Sequence, residues 1–202
     1  KTMFNRHCET FEKLGFPLDL NLPTFSEKAI LSEEIFAITG KKEESWIGIA
    51  PFAQYESKVY PIDLMQVVID ELAKNSSNKI FLFGGGNEEI KKLNQLKNNH
   101  ENVLVVAGKI KFQQELDLIS NLEIMLSMDS GNAHIAAMLG VKVITLWGAT
   151  HPFAGFKPFN QPDDFCMNSD REQFPFLPTS VYGNKKVEGY ENVMRSILPE
   201  MV

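Results

Sequence analysis

No window of this 202-residue chain approaches the roughly 18 consecutive apolar residues that a membrane-spanning helix requires, so any membrane association is expected to be peripheral. Cysteine is scarce. Only Cys8 and Cys166 occur, far apart and with no second Cys or His at metal-ligand spacing, so the simplest reading is two free thiols in a reducing, cytoplasmic compartment. Positive charge is not in excess either. A formal net charge of -6 argues against a duplex nucleic-acid partner, which needs a cationic surface to displace phosphate counterions, although a local cationic site for a small anion is compatible with it. The chain opens on Lys1, with no charged stretch leading into an apolar run and a small-residue cleavage site, and reads as a fragment of a longer protein.

What is present is an ordinary globular balance, 44% hydrophobic and 23% charged, enough to bury one sizeable core. From Trp46 onward short β-rich apolar runs alternate with amphipathic stretches. Strands are expected at 46–50, 79–83, 103–106, 123–128 and 142–147, and helices at 61–74, 88–96, 112–121 and 132–139. Strand and crossover helix in strict alternation imply an α/β, doubly wound parallel sheet of Rossmann type. Ahead of it, 4–14 and 25–39 are expected to be helical and 17–23 extended. Residues 1–45 are therefore assigned to a connector and 46–202 to the domain proper. In the Pro-, Gly- and Asn-rich tail after Thr150 only 190–198 is expected to be helical.

In such a sheet ligands bind beyond the carboxyl ends of the strands, so the turns there are where chemistry should lie. Met128 to His134 (Met-Asp-Ser-Gly-Asn-Ala-His) ends a strand and opens a helix, where Ser130 and Gly131 place backbone N–H groups suited to phosphate. Asp129 or Ser130 could equally be a plain N-cap, and His134 a structural or exposed side chain. The turn Gly84-Gly85-Gly86-Asn87 removes every Cβ from a ligand's approach path and permits positive φ. It is neither a Walker loop nor the dinucleotide G-x-G-x-x-G, and by itself is also consistent with a tight βα turn. Lys58, just before the helix that begins near Pro61, is placed to reach a pyrophosphate, or else is a solvated surface charge.

In order along the chain stand Ser57-Lys58-Val59-Tyr60-Pro61, Phe83-Gly84-Gly85-Gly86, Ala107-Gly108-Lys109, Met128-Asp129-Ser130-Gly131 with His134, and Trp147-Gly148-Ala149-Thr150-His151-Pro152. This combination resembles glycosyltransferase family 9, the family of the ADP-heptose lipopolysaccharide heptosyltransferases. The resemblance implies the second, donor-binding half of a GT-B fold: a metal-independent, inverting transferase that moves a heptose-like sugar from a nucleotide-diphosphate sugar, ADP-heptose-like, to a lipopolysaccharide core or related glycan acceptor. It implies no cofactor besides that donor substrate. Carried over residue by residue, Lys58, Ser130 and Gly131 bind the donor phosphates, Asp129 the sugar hydroxyls, and His134 supports the loop. Gly84, Gly85, Gly86, Asn87 and Ile110 meet the nucleoside. The general base belongs to a facing first, acceptor domain, of which residues 1–45 are expected to be the end and the connector, so these 202 residues alone are expected to bind donor without transferring sugar. The resemblance further implies a cytoplasmic enzyme, peripheral at the inner membrane at most.

Three departures stand out. Ala53 and Gln54 occupy positions where the family often has hydroxyl residues, and only Asn87 and Glu88 are candidates for the family's ribose-holding acidic residue. The tail segment Ser180-Val181-Tyr182-Gly183-Asn184-Lys185 lacks the paired cysteines found around it in some members. A sugar-nucleotide epimerase and a non-catalytic nucleotide-sugar-binding module are the competing readings.

Overall fold

The computed structural model describes every residue except Glu44. In chain order its elements are α1 (Met3–Lys13), α2 (Glu33–Thr39), β1 (Ser45–Ala50), α3 (Ile62–Ala73), β2 (Asn78–Leu82), α4 (Gly86–Lys97), β3 (Val103–Val105), α5 (Phe112–Ile119), β4 (Ile124–Met128), α6 (Gly131–Met138), β5 (Lys142–Trp147) and β6 (Cys166–Asn168). All six strands pair in parallel, in the order β3-β2-β1-β4-β5-β6. This is the doubly wound Rossmann order, in which the winding reverses between β1 and β4 and opens a crevice at their carboxyl ends.

Alternation along the strands builds a core on each face of the sheet. Ile47 and Ile49 of β1, Ile80 and Leu82 of β2, and Leu126 and Met128 of β4 face a cluster with Met65, Val68 and Ile69 of α3 and Leu93 and Leu96 of α4. Trp46, Ala50, Phe81 and Met125 point the other way, onto Leu118 and Ile119 of α5 and the alanine face of α6. Burial on both faces is what the uninterrupted apolar strand sequences require. Among the described residues no helix is long and apolar enough to cross a membrane.

The lead-in departs from expectation. The expected 4–14 helix forms as α1, but of the expected 25–39 helix only Glu33–Thr39 forms, opened by Ser32, whose hydroxyl accepts from Ile35 N. Upstream, the backbone of Ala29 is bound by side chains at the end of α5: its N–H donates to Ser120 Oγ at 3.0 Å and its carbonyl accepts from Asn121 Nδ2 at 2.9 Å. With those groups satisfied across the chain, an extended run competes successfully with a helix. Leu31 and Ile35 then bury into the α5–α6 core. The 17–23 stretch is irregular, with a turn at its end in which Asp19 Oδ1 accepts from Asn21 N.

The tail also differs. Over 190–198 there is one 3-10 turn, Val193–Ser196, and the hydrogen bonds around it run from residue i to i−3. Tertiary anchors hold it in that form: the Tyr60 hydroxyl donates to Ile197 O at 2.7 Å, and the Tyr190 ring packs edge-on against Phe174. A sixth strand, β6, arises from three tail residues that carry too little periodicity to be read from sequence.

Candidate donor site at the β1–β4 crevice

The loop after β1 and the turns after β2 and β4 converge on this crevice. Ser130 is the N-cap of α6, yet its side chain makes no capping bond. Its hydroxyl pairs instead with Ser127 Oγ at 3.2 Å, so among the described residues no side-chain capping bond is made at the positive end of the helix. The Gly84-Gly85-Gly86 turn opens α4, and at Gly86 φ is +76°, the conformation a glycine supplies at least cost.

One cleft of about 340 Å3 joins the two turns. Gly84 and Gly85 line one wall, Ser130 and Gly131 the other, and Ala53 and Gln54 of the β1 loop close it. Two carboxylates that sequence reasoning did not single out also line it. Glu89 turns back so that Oε2 accepts from Gly85 N at 2.8 Å, and the partial burial of Glu115 holds its carboxyl above the usual range. The turn of helix between Gly85 and Glu89 is the only sequence signal for the first, and a mid-helix Glu gives none for the second.

Lys58 and Asp129, 71 residues apart in sequence, meet at the end of β4, where Asp129 precedes the cleft residue Ser130; neither Lys58 nor Asp129 lines the cleft itself. Lys58 Nζ lies 3.1 Å from Asp129 Oδ2, and the side chains are only 13% and 11% exposed. A third residue completes the cluster: buried Thr150 donates its hydroxyl to the same carboxylate oxygen at 2.8 Å. Among the described residues no hydrogen bond reaches Asp129 Oδ1. His134, one turn into α6, is held below the usual imidazole range by burial; Asp129 opposes that shift and Lys58 adds to it. The histidine is therefore electrostatically in touch with both members of the pair.

Two expected nucleoside contacts lie elsewhere. Asn87 is exposed in the first turn of α4, and Ile110 packs partly buried against the α5–α6 core; neither lines the cleft, nor does Glu88. Gly86 borders the turn without lining the cleft.

Comparison with known proteins places the chain. The profile of glycosyltransferase family 9 (heptosyltransferase) matches residues 1–184. A lipopolysaccharide heptosyltransferase 3 from Escherichia coli is 27% identical over 109 residues, 53% of this chain and 32% of that protein. The fold is that of a family 9 glycosyltransferase from Veillonella parvula (TM-score 0.73, 18% identity, 99% of this chain and 57% of the other). It is also that of E. coli ADP-heptose lipopolysaccharide heptosyltransferase II (TM-score 0.63, 20% identity, 89% and 52%). E. coli heptosyltransferase WaaC, solved with ADP, shares it at a TM-score of 0.54 and 20% identity over 78% of this chain and 44% of that one. The chain thus spans about a third to a half of the length of these relatives. It belongs to glycosyltransferase family 9, whose members include the heptosyltransferases.

Proposed function

We propose that the β1–β4 crevice binds a nucleotide-diphosphate sugar of the ADP-heptose kind, and that these residues form the donor half of a heptosyltransferase acting on a lipopolysaccharide core or related glycan. The observation that carries the reading is the helix N-terminus at Ser130–Gly131, which lines the cleft without a side-chain cap, together with the largely buried Lys58 cation held on Asp129, the residue before Ser130. Both are aimed at negative charge. The solved relative with ADP supports the choice of nucleotide.

In this reading the nucleoside enters between the Gly84-Gly85 turn and Glu115, and the diphosphate reaches the amides of Ser130 and Gly131 and the ammonium of Lys58. Asp129 Oδ1 accepts from sugar hydroxyls, with Oδ2 already held by Thr150 and Lys58. As the bond from the anomeric carbon to the phosphate oxygen breaks, charge builds on the leaving diphosphate, and preorganised amides and an ammonium stabilise it without reorganising. Those groups can take the electrostatic role of a divalent metal, so transfer is expected to be metal-independent, with inversion by direct attack of the acceptor. Asp129 lies on the donor side of the scissile bond, so the acceptor's general base is assigned to a facing domain, and residues 1–45 to the connector leading from it. The reading places the enzyme in the cytoplasm, at most peripheral at the inner membrane, where acceptor and soluble donor meet.

A thermal-shift screen against ADP-, GDP- and UDP-sugars, each with and without EDTA, tests this. A ligand bound only to the folded state raises the unfolding midpoint. The ADP-sugar is expected to give the largest rise, unchanged by chelator. No rise with any nucleotide sugar, or one abolished by EDTA and restored by magnesium, contradicts the corresponding part of the reading.

A further inference from the structure

The Lys58–Asp129 pair is covered by a segment far outside the strand-end turns. Residues 180–184 form a closed turn in which Ser180 Oγ accepts from Asn184 N at 3.1 Å and donates to Asn184 Oδ1 at 2.9 Å. Two anchors hold this turn against the crevice: Ser57 Oγ donates to Gly183 O at 2.5 Å, and Thr179 N donates to Ala149 O at 2.9 Å. The third side of the same joint is Ala149 N donating to Ser57 O at 3.1 Å.

At the point of contact Gly183 has φ +73°, and a Cβ there would stand 3.1 Å from both Cγ and Cδ of Lys58 and 3.0 Å from Cγ2 of Thr150. The backbone of the turn therefore presses on the stem of the lysine and on the methyl of the threonine whose hydroxyl holds Asp129. A Cβ there would force the lysine stem and the threonine methyl to give by a few tenths of an ångström, and at φ +73° glycine is the residue that adopts the conformation at least cost. A lysine stem left in solvent samples many rotamers, and confining it before a ligand arrives removes that entropic loss from the binding step.

From this, and resting on the donor-site reading above, we propose that Gly183 and Thr150 are positioning residues: the tail turn 180–184 is a clamp that fixes the Lys58 ammonium and the Asp129 carboxylate in their binding geometry. The tail is then part of the donor site.

The clamp has a readout that needs no ligand. In unliganded protein, acetylation by an N-hydroxysuccinimide ester, followed by peptide mass spectrometry, should modify Lys58 much more slowly than Lys74, whose side chain is 71% exposed. In Gly183→Ala, and in the milder Ser57→Ala should the first fold poorly, the Lys58 rate should rise several-fold while Lys74 stays constant. The same variants should lose affinity for ADP several-fold and keep their affinity for adenosine. Thr150→Val should weaken the nucleotide sugar more than ADP, and Thr150→Ser, which keeps the hydroxyl, should restore it. Unchanged Lys58 labelling in both clamp variants, or a Thr150→Val protein that binds the nucleotide sugar as wild type does, overturns the proposal. If the wild-type protein binds neither ADP nor nucleotide sugar, the donor reading falls by itself, and the labelling rates still decide the clamp.

Discussion

Replacing Lys58 by Ala removes one charge from two different balances, and the structure gives a magnitude for each. At 3.1 Å the gross attraction to Asp129 is roughly 5 kcal/mol for an effective dielectric near 20. Most of it is offset by desolvating the two side chains, which keep only 13% and 11% of their exposure. Stripping one partner from a fully buried pair costs about 3 to 5 kcal/mol. Asp129 here retains the Thr150 hydroxyl, so a loss of about 2 to 3 kcal/mol in stability is expected. Asp129→Asn added to Lys58→Ala should recover part of that loss, because the uncompensated charge is gone. For binding, one charge-assisted contact to phosphate is worth about 1.5 to 3 kcal/mol, which corresponds to roughly a 10- to 150-fold rise in Kd for ADP or an ADP-sugar. Adenosine, lacking phosphate, should bind Lys58→Ala within about twofold of wild type. Urea unfolding and calorimetric titration measure the two balances separately. Equal losses for adenosine and for the nucleotide sugar would falsify the placement of Lys58 at the phosphates.

Two further perturbations probe the surroundings. His134 is held neutral by burial where an unfolded chain would protonate it, so the unfolded state binds more protons below about pH 6.5 and stability should fall as pH drops from neutral towards 5. His151 shifts in the same direction, from burial and from Arg171, so His134→Gln should flatten the fall in part and the double replacement His134→Gln/His151→Gln more fully, by urea midpoints across pH. A steeper fall in either variant contradicts the assignment. Tyr60, fully buried, has its hydroxyl pushed up to about 12 chiefly by desolvation and donates to Ile197 O. Tyr60→Phe leaves that carbonyl unsatisfied and should cost about 1 to 3 kcal/mol by urea unfolding, whereas a change within error means the tail is anchored elsewhere.

The sheet was readable because each strand from β1 to β5 is a short, mostly apolar run between turn residues, and its local pattern agrees with its burial. The segments that failed, 25–32 and 190–198, have helical spacing yet are decided by distant partners: Ser120 and Asn121 for the first, Tyr60 and Phe174 for the second. Local pattern cannot see a bond across 91 residues. The site divides in the same way. The Gly84-Gly85 and Ser130-Gly131 turns were legible as strand-to-helix junctions, and the structure puts them on one cleft. That Ser130 would leave its helix uncapped was not, because an N-cap serine and one paired with Ser127 look alike in sequence. Asn87 is put at the nucleoside by the family resemblance alone, and helix geometry turns Glu89 back to the glycine turn and leaves Asn87 exposed. Thr150 was visible as part of a motif, but its bond to Asp129 follows only from β4 and β5 lying side by side.

The claim on which the rest depends is that a nucleotide-diphosphate sugar occupies the cleft between the glycine turn and the amino end of α6. Titration of 15N-labelled protein with an ADP-sugar, followed by amide chemical shifts, tests it residue by residue. Saturable shifts should be largest at Gly84, Gly85, Ser130 and Gly131, with adenosine alone reproducing those of the glycine turn but not those at Ser130 and Gly131. Saturable shifts confined to another surface would contradict it.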